Sequence, residues 1–143
     1  MTHTMNPNRR RLLQALGVTT GTALVPGMAL AAGKQATGKV VVIGGGYGGA
    51  TAAKYLRKWS NNGIDVTLIE RTPDYVSCPM SNEVLGGNRD YKTLVRTYDA
   101  LRKKWGVQVV NAEVTSVDTT AKSVKNASGK TYTYDRLIVA PGI

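Results

Sequence analysis

The run KVVVIGGGYGGATAAKYLRKW, Lys39 to Trp59, constrains the fold of this chain more than any other stretch. Val40 to Ile43 are four consecutive β-branched residues, a pattern suited to a short strand buried on both faces. Glycines then force a sharp turn, and Ala50, Ala53 and Leu56 recur at helical spacing. Strand, glycine turn and helix form the first half of a βαβ unit, which predicts an α/β fold with a parallel sheet. Within the turn, Gly44-x-Gly46-x-x-Gly49 has the glycines a dinucleotide site needs. Gly44 would allow the tight turn, Gly46 a close approach of backbone to a pyrophosphate, and Gly49 close packing of helix on strand. The free amides and positive end of the helix would then face the phosphates.

The glycine motif alone is a weak signal, and the next strand strengthens it. IDVTLIE, Ile64 to Glu70, is a second β-branched run that ends in an acid 21 residues beyond Gly49. There a carboxylate can accept hydrogen bonds from ribose hydroxyls, and it would repel a 2′-phosphate. Glu70 and the adjacent Arg71 therefore join the glycines as cofactor-binding candidates. A helix is predicted near Thr97 to Trp105, with Thr97 as its N-cap. VQVVNAEVTSVD then reads as strands, and KSVKNASGKTYTYDRLIVAPG as a small meander that turns at Ser128-Gly129.

Before the domain, NRRRLLQALG places Arg9, Arg10 and Arg11 directly ahead of leucines, and a weakly apolar run leads to Ala29-Leu30-Ala31. This resembles a bacterial twin-arginine export signal with a small-x-small cleavage site, and it predicts a periplasmic protein. The run is too polar and broken for a membrane span. The resulting organisation is an export signal at 1–31, a linker at 32–37 and a fold at 38–143. The abrupt ending YDRLIVAPGI suggests that the fold is incomplete at its C-terminus, with this chain the front of a longer protein.

The formal net charge is +10, from 19 Lys and Arg against 9 Asp and Glu. Outside the leader the surplus clusters at Lys54, Arg57, Lys58 and at Arg102, Lys103, Lys104, with no aromatic interleaving of the kind nucleic-acid platforms use. Ordinary solvated faces are expected there, with docking of an acidic partner as the alternative. His3 is the only histidine and lies in the leader, and Cys78 is the only cysteine. Neither a metal site nor a Ser-His or Cys-His nucleophile is expected from the mature chain.

The order of strand, helix, strand, meander and YDRLIVAPG resembles the FAD domain of the glutathione-reductase-like flavoproteins, over Lys39 to Ile143. That resemblance implies a Rossmann-like FAD-binding domain with a β-meander crossover, Val114 meeting the adenine, and Ala140 to Gly142 near the pyrophosphate. A plain NAD domain would lack the meander. The segment YVSCPMSNEVLGG, above all Ser81 to Gly87, is similar to the matching segment of the flavoprotein subunits of flavocytochrome c sulfide dehydrogenases. The resemblance implies a thioether from Cys78 to the flavin, sulfide as substrate, and a cytochrome c subunit as electron acceptor, with the redox cysteines beyond Ile143. Without the bond, Cys78 would be a buried inert thiol or half of a disulfide. Pro79 is expected to fix the loop before a short helix capped by Ser81, with Glu83 in its first turn. The alternatives are a sulfide:quinone reductase or type II NADH dehydrogenase, an NAD-dependent dehydrogenase, and a non-catalytic nucleotide- or partner-binding subunit.

Overall fold

A computed structural model describes residues 37–142. The export-signal reading, and the linker apart from Thr37, lie outside the described residues. Thr37 is part of the fold, since its amide and its Oγ1 both donate to the Gly63 carbonyl, at 2.7 and 2.9 Å.

The strand read at Val40–Ile43 is the core of β1 (Gly38–Ile43), followed by helix α1 (Tyr47–Trp59) and strand β2 (Ile64–Glu70). With β5 (Gln108–Asn111) and β9 (Arg136–Val139) these strands form one parallel sheet in the order β5-β2-β1-β9. Its centre pairs Val40 with Val66 on one side and with Arg136 on the other. The meander is β6 (Val114–Asp118), β7 (Ser123–Asn126) and β8 (Thr131–Thr133), an antiparallel sheet that turns through Gly129 at φ +83°. A two-stranded ribbon, β3 (Asp74–Val76) with β4 (Val95–Thr97), flanks helix α2 (Ser81–Leu85) and a 3-10 turn at Tyr91–Leu94. Helix α3 (Asp99–Trp105) leads into β5.

Alternation along β1 explains why it has no polar residue from Val40 to Ile43. Val40 and Val42 pack with Ala53, Val66, Leu68, Tyr98 and Leu101 on the helical side. Val41 packs on the opposite face with Ile69, Val124 and Tyr134 beneath the meander. The parallel sheet is thus covered on both sides, which its continuous apolar strands require. Leu68 is fully buried at 0% exposure, so cutting it back to alanine would cost about 2–5 kcal/mol.

Two local expectations are corrected. The helix predicted from Thr97 begins at Asp99 with Tyr98 at its N-cap, no side chain caps it, and Thr97 ends β4. Thr97 is extended because Arg96 and Thr97 pair across the ribbon with Tyr75 and Asp74. Ser81 is the first residue of α2 rather than its cap; the N-cap is Met80, in the left-handed region at φ +69°. Glu83 does lie in the first turn, where it pairs with Arg89 at 2.6 Å.

The basic clusters are largely the solvated faces expected, with Lys58, Arg102, Lys103 and Lys104 all exposed, but Arg57 departs from that reading. Arg57 has a side chain only 13% exposed, and it donates to the carbonyls of Trp105 at 2.8 Å, of Asn62 at 3.2 Å and of Ile64. The expected lack of aromatic interleaving is corrected by the chain itself, in which Tyr55 lies between Lys54 and Arg57, Trp59 follows Lys58 and Trp105 follows Lys104. Lys54 lies 5.3 Å from the Tyr55 ring centre and 5.8 Å from that of Trp105, while Tyr55 packs on Trp59 at 4.7 Å. Tyr55 and Trp59 are neighbours on α1 itself, while packing of α1 against α3 brings Lys54 to the Trp105 ring.

Candidate nucleotide site

The glycine loop links the end of β1 to the start of α1, and each of its glycines answers to a different neighbour. Gly44 has φ +95°, and a Cβ there would lie 2.0 Å from the Ala140 carbonyl oxygen. The backbone cannot relax readily, because the Gly44 amide donates to Ile69 at 2.9 Å and the Ala140 amide to Ile43 at 2.8 Å. Gly44 therefore serves the turn and also admits the end of β9. A Cβ on Gly49 would come within 1.9 Å of the Gly44 carbonyl oxygen and 3.3 Å of Val42, so this glycine closes helix onto strand as its place in the motif suggests.

Gly46 differs, because a Cβ there would meet nothing nearer than Tyr75 Cε2 at 3.7 Å, an ordinary contact, and its φ is −64°. The protein itself gives no reason for glycine at the N-cap of α1, whereas a Cβ would fill the space in front of the helix. That helix start has no side-chain cap and no acidic residue in its first turn. Its amides and positive dipole end are thus available to an anion, and the bare Gly46 position lets one approach.

Glu70, at the end of β2, lies beside this loop. Its Oε2 accepts from the Gly45 amide at 2.6 Å, and its Oε1 from the Thr72 amide and hydroxyl at 3.1 and 3.0 Å. Burial pushes the carboxyl pKa up, but the Gly45 amide, the Thr72 amide and hydroxyl and the Arg71 amide together outweigh it and hold Glu70 below the ordinary value. Glu70 is therefore a carboxylate at neutral pH, an acceptor only.

Two adjoining grooves run past these residues. One, of about 320 Å³, is lined by Gly44, Glu70, Arg71, Val114 and Gly142. The other, of about 590 Å³, is lined by Gly46, Glu70, Arg71, Cys78, Ala140 and Gly142. Glu70, Arg71 and Gly142 border both, so eight of the nine residues singled out from sequence surround one extended concavity. Gly49 is the exception and acts from beneath, through packing. Cys78 is exposed on the groove wall in this domain, and near it Tyr47 stands edge-on to Tyr75 at 5.2 Å. No cluster of His, Cys, Asp and Glu able to hold a metal occurs among the described residues. No described helix is long and apolar enough to cross a membrane.

The sequence reading missed Gly45 and Tyr98. A Cβ on Gly45 would lie 2.3 Å from the Tyr98 hydroxyl, which donates to the Gly45 carbonyl at 3.0 Å. The run of three glycines, one more than the motif asks for, was the available signal.

Residues 38–143 match the family of pyridine nucleotide-disulphide oxidoreductases. This chain belongs to that family. Among curated relatives, a type II NADH:quinone oxidoreductase of Staphylococcus haemolyticus is 35% identical over 105 residues, 73% of this chain and 26% of that protein. The sulfide dehydrogenase (flavocytochrome c) flavoprotein chain of Chlorobaculum thiosulfatiphilum is 56% identical over 48 residues, 34% of this chain and 98% of that sequence. Among solved structures, the sulfide:quinone oxidoreductase of Aquifex aeolicus superposes with a TM-score of 0.68 at 33% identity, covering 73% of this chain and 24% of that one. An NAD-dependent persulfide reductase from A. fulgidus gives 0.64 at 30% identity, covering 73% and 21%. The chain thus spans about a quarter of the oxidoreductases it matches along its whole domain.

Proposed function

We propose that this pyridine nucleotide-disulphide oxidoreductase chain is the FAD-binding part of a periplasmic flavoprotein sulfide dehydrogenase that passes electrons from sulfide to a cytochrome c subunit. The observation that carries the reading is the exposed Cys78 on the wall of the groove that also holds Glu70 and the glycine loop. The 56% identity to a sulfide dehydrogenase flavoprotein chain supports the substrate and the partner. FAD, when bound, supplies the redox chemistry, accepting electrons in a pair and releasing them singly. The residues present fit such a group. Ionised Glu70 would accept from ribose hydroxyls, the uncapped start of α1 would face the diphosphate, and Val114 and Ala140 to Gly142 would line the groove walls. Cys78 Sγ would attach the flavin covalently.

An intact mass of the protein purified from the periplasm under denaturing conditions tests this reading. A flavin adduct mapped to the Cys78 peptide, on a chain that begins near residue 32, is the expected result. An unmodified Cys78 thiol in a flavin-containing protein would sink the covalent assignment, and a flavin-free protein the whole reading. The 35% identity to type II NADH:quinone oxidoreductase, which extends over more of the chain, favours a second reading as a quinone-reducing flavoenzyme. Reduction of the bound flavin by sulfide but not NADH separates the first from the second.

A further inference from the structure

We propose that Tyr98 is a positioning residue for the nucleotide cradle, fixing the direction in which the Gly46 amide is presented to a bound diphosphate. The inference rests on the dinucleotide reading of the groove and assigns part of that site to a residue in the core.

Gly44, Gly45 and Gly46 are consecutive, so no Cβ restrains the two peptide planes between them, and such planes rotate at little cost. Each plane is instead held by a side chain from a different element. The Gly44–Gly45 plane is held through its N–H, which donates to Glu70 Oε2 at 2.6 Å. The Gly45–Gly46 plane is held through its C=O, which accepts from the Tyr98 hydroxyl at 3.0 Å. In a trans peptide the C=O and N–H point in opposite directions, and no cis bond occurs among the described residues. Anchoring the Gly45 carbonyl on Tyr98 therefore turns the Gly46 N–H away from Tyr98, and Gly46 borders the groove that Glu70 and Cys78 also line.

The anchor itself is rigid. Tyr98 is only 3% exposed, packs in the core beside Ala53, Leu68 and Leu101, and occupies the N-cap position of α3. It has little freedom to follow the loop, so the loop must conform to it. Removing the hydroxyl would leave the Gly45–Gly46 plane free to turn, and an anion would then have to stop that rotation on binding.

The test is Tyr98→Phe in the full-length protein, which keeps the ring in the core and deletes only the hydroxyl. Calorimetric titration with ADP, and separately with adenosine, of protein freed of flavin in a Cys78→Ser background, taken as the wild type at position 98, distinguishes positioning from general support. ADP affinity should fall roughly fivefold, the equivalent of the ~1 kcal/mol a neutral hydrogen bond contributes, while adenosine affinity stays within about twofold. Unchanged ADP affinity would overturn the proposal, as would an equal loss for adenosine, which would make the hydroxyl a support of the fold alone. A wild-type protein that binds neither ligand would overturn the dinucleotide reading itself. Should Tyr98→Phe fail to fold, the wild-type protein still decides the matter by NMR. The Gly46 amide resonance should move on addition of ADP but not adenosine, and an unmoved resonance would refute the assignment.

Discussion

Arg57 lies in a run of charges, yet its surroundings predict that it stabilises the fold more than any lysine near it. Its guanidinium serves three carbonyls, two of them, on Trp105 and Ile64, in part-buried positions. Hydrogen bonds from a charged donor contribute about 1.5–3 kcal/mol each. Taking the lower figure for those two, and nothing for Asn62, which water can serve, gives about 3 kcal/mol for Arg57→Met. The Asp65 carboxylate at 3.8 Å, with its side chain 64% exposed, adds nothing worth counting. Against a typical total of about 5–15 kcal/mol this is a large loss. Urea unfolding of the cofactor-free chain, followed by tryptophan fluorescence, should show a midpoint lower by roughly 2 M for a slope of about 1.5 kcal/mol/M. Arg57→Lys should lose most of the same stability, because a single ammonium cannot reproduce the planar fork. Lys58→Met should stay within about 0.5 kcal/mol of wild type. An Arg57→Met midpoint no lower than that of Lys58→Met would refute the reasoning and restore Arg57 to the solvated surface.

Three further outcomes are expected. Gly44→Ala places a Cβ 2.0 Å from the Ala140 carbonyl oxygen at φ +95°, and should cost more than about 3 kcal/mol in the same urea assay, where a loss below about 1 kcal/mol would show that β9 can yield. The depressed pKa of Glu70 gives stability that is complete above its ordinary value of 4.5 and lost as pH falls through the lower folded value; Glu70→Gln should flatten that acid limb of a Tm-against-pH curve, and an unaltered limb would contradict it. Burial, then the Glu70 charge, push the Tyr98 phenol up to about 12, so its contribution is complete below the ordinary value of 10.0 and lost as pH rises through 12. Ultraviolet titration should show one tyrosine ionising only near that pH in the wild type and none so late in Tyr98→Phe.

The parts of this protein that sequence revealed are those governed by local pattern. Four β-branched residues before a glycine turn, and an acid closing the second such run, announce their geometry through neighbours in the chain, and the meander turn declares itself through Gly129. Arg57 was misread because its partners are backbone carbonyls, which leave no trace in residue identity, so a buried guanidinium and a solvated one look alike. Gly45 occupies the unspecified position of the glycine motif, and what forbids a side chain there is Tyr98, 53 residues away. The cap assignments failed for a similar reason. Thr97 and Ser81 have suitable hydroxyls, but ribbon pairing claims the first and a left-handed Met80 displaces the second. Lys54 reaches the Trp105 ring only because α1 and α3 pack together, whereas Tyr55 and Trp59 already neighbour each other on α1.

The contact between Gly44 and Ala140 has a consequence for synthesis on the ribosome. One wall of the groove belongs to the turn after β1 and the other to the residues after β9, and the register between those strands is tied down at Lys39 by Asp135, 96 positions away. A nascent chain that has emerged only through α3 holds the glycine loop, Glu70 and Cys78 but has no opposite wall for a nucleotide to bind against. Because such long-range pairing is slow to form, closure of the groove around a nucleotide waits for β9 and does not follow at once from the appearance of the binding motif.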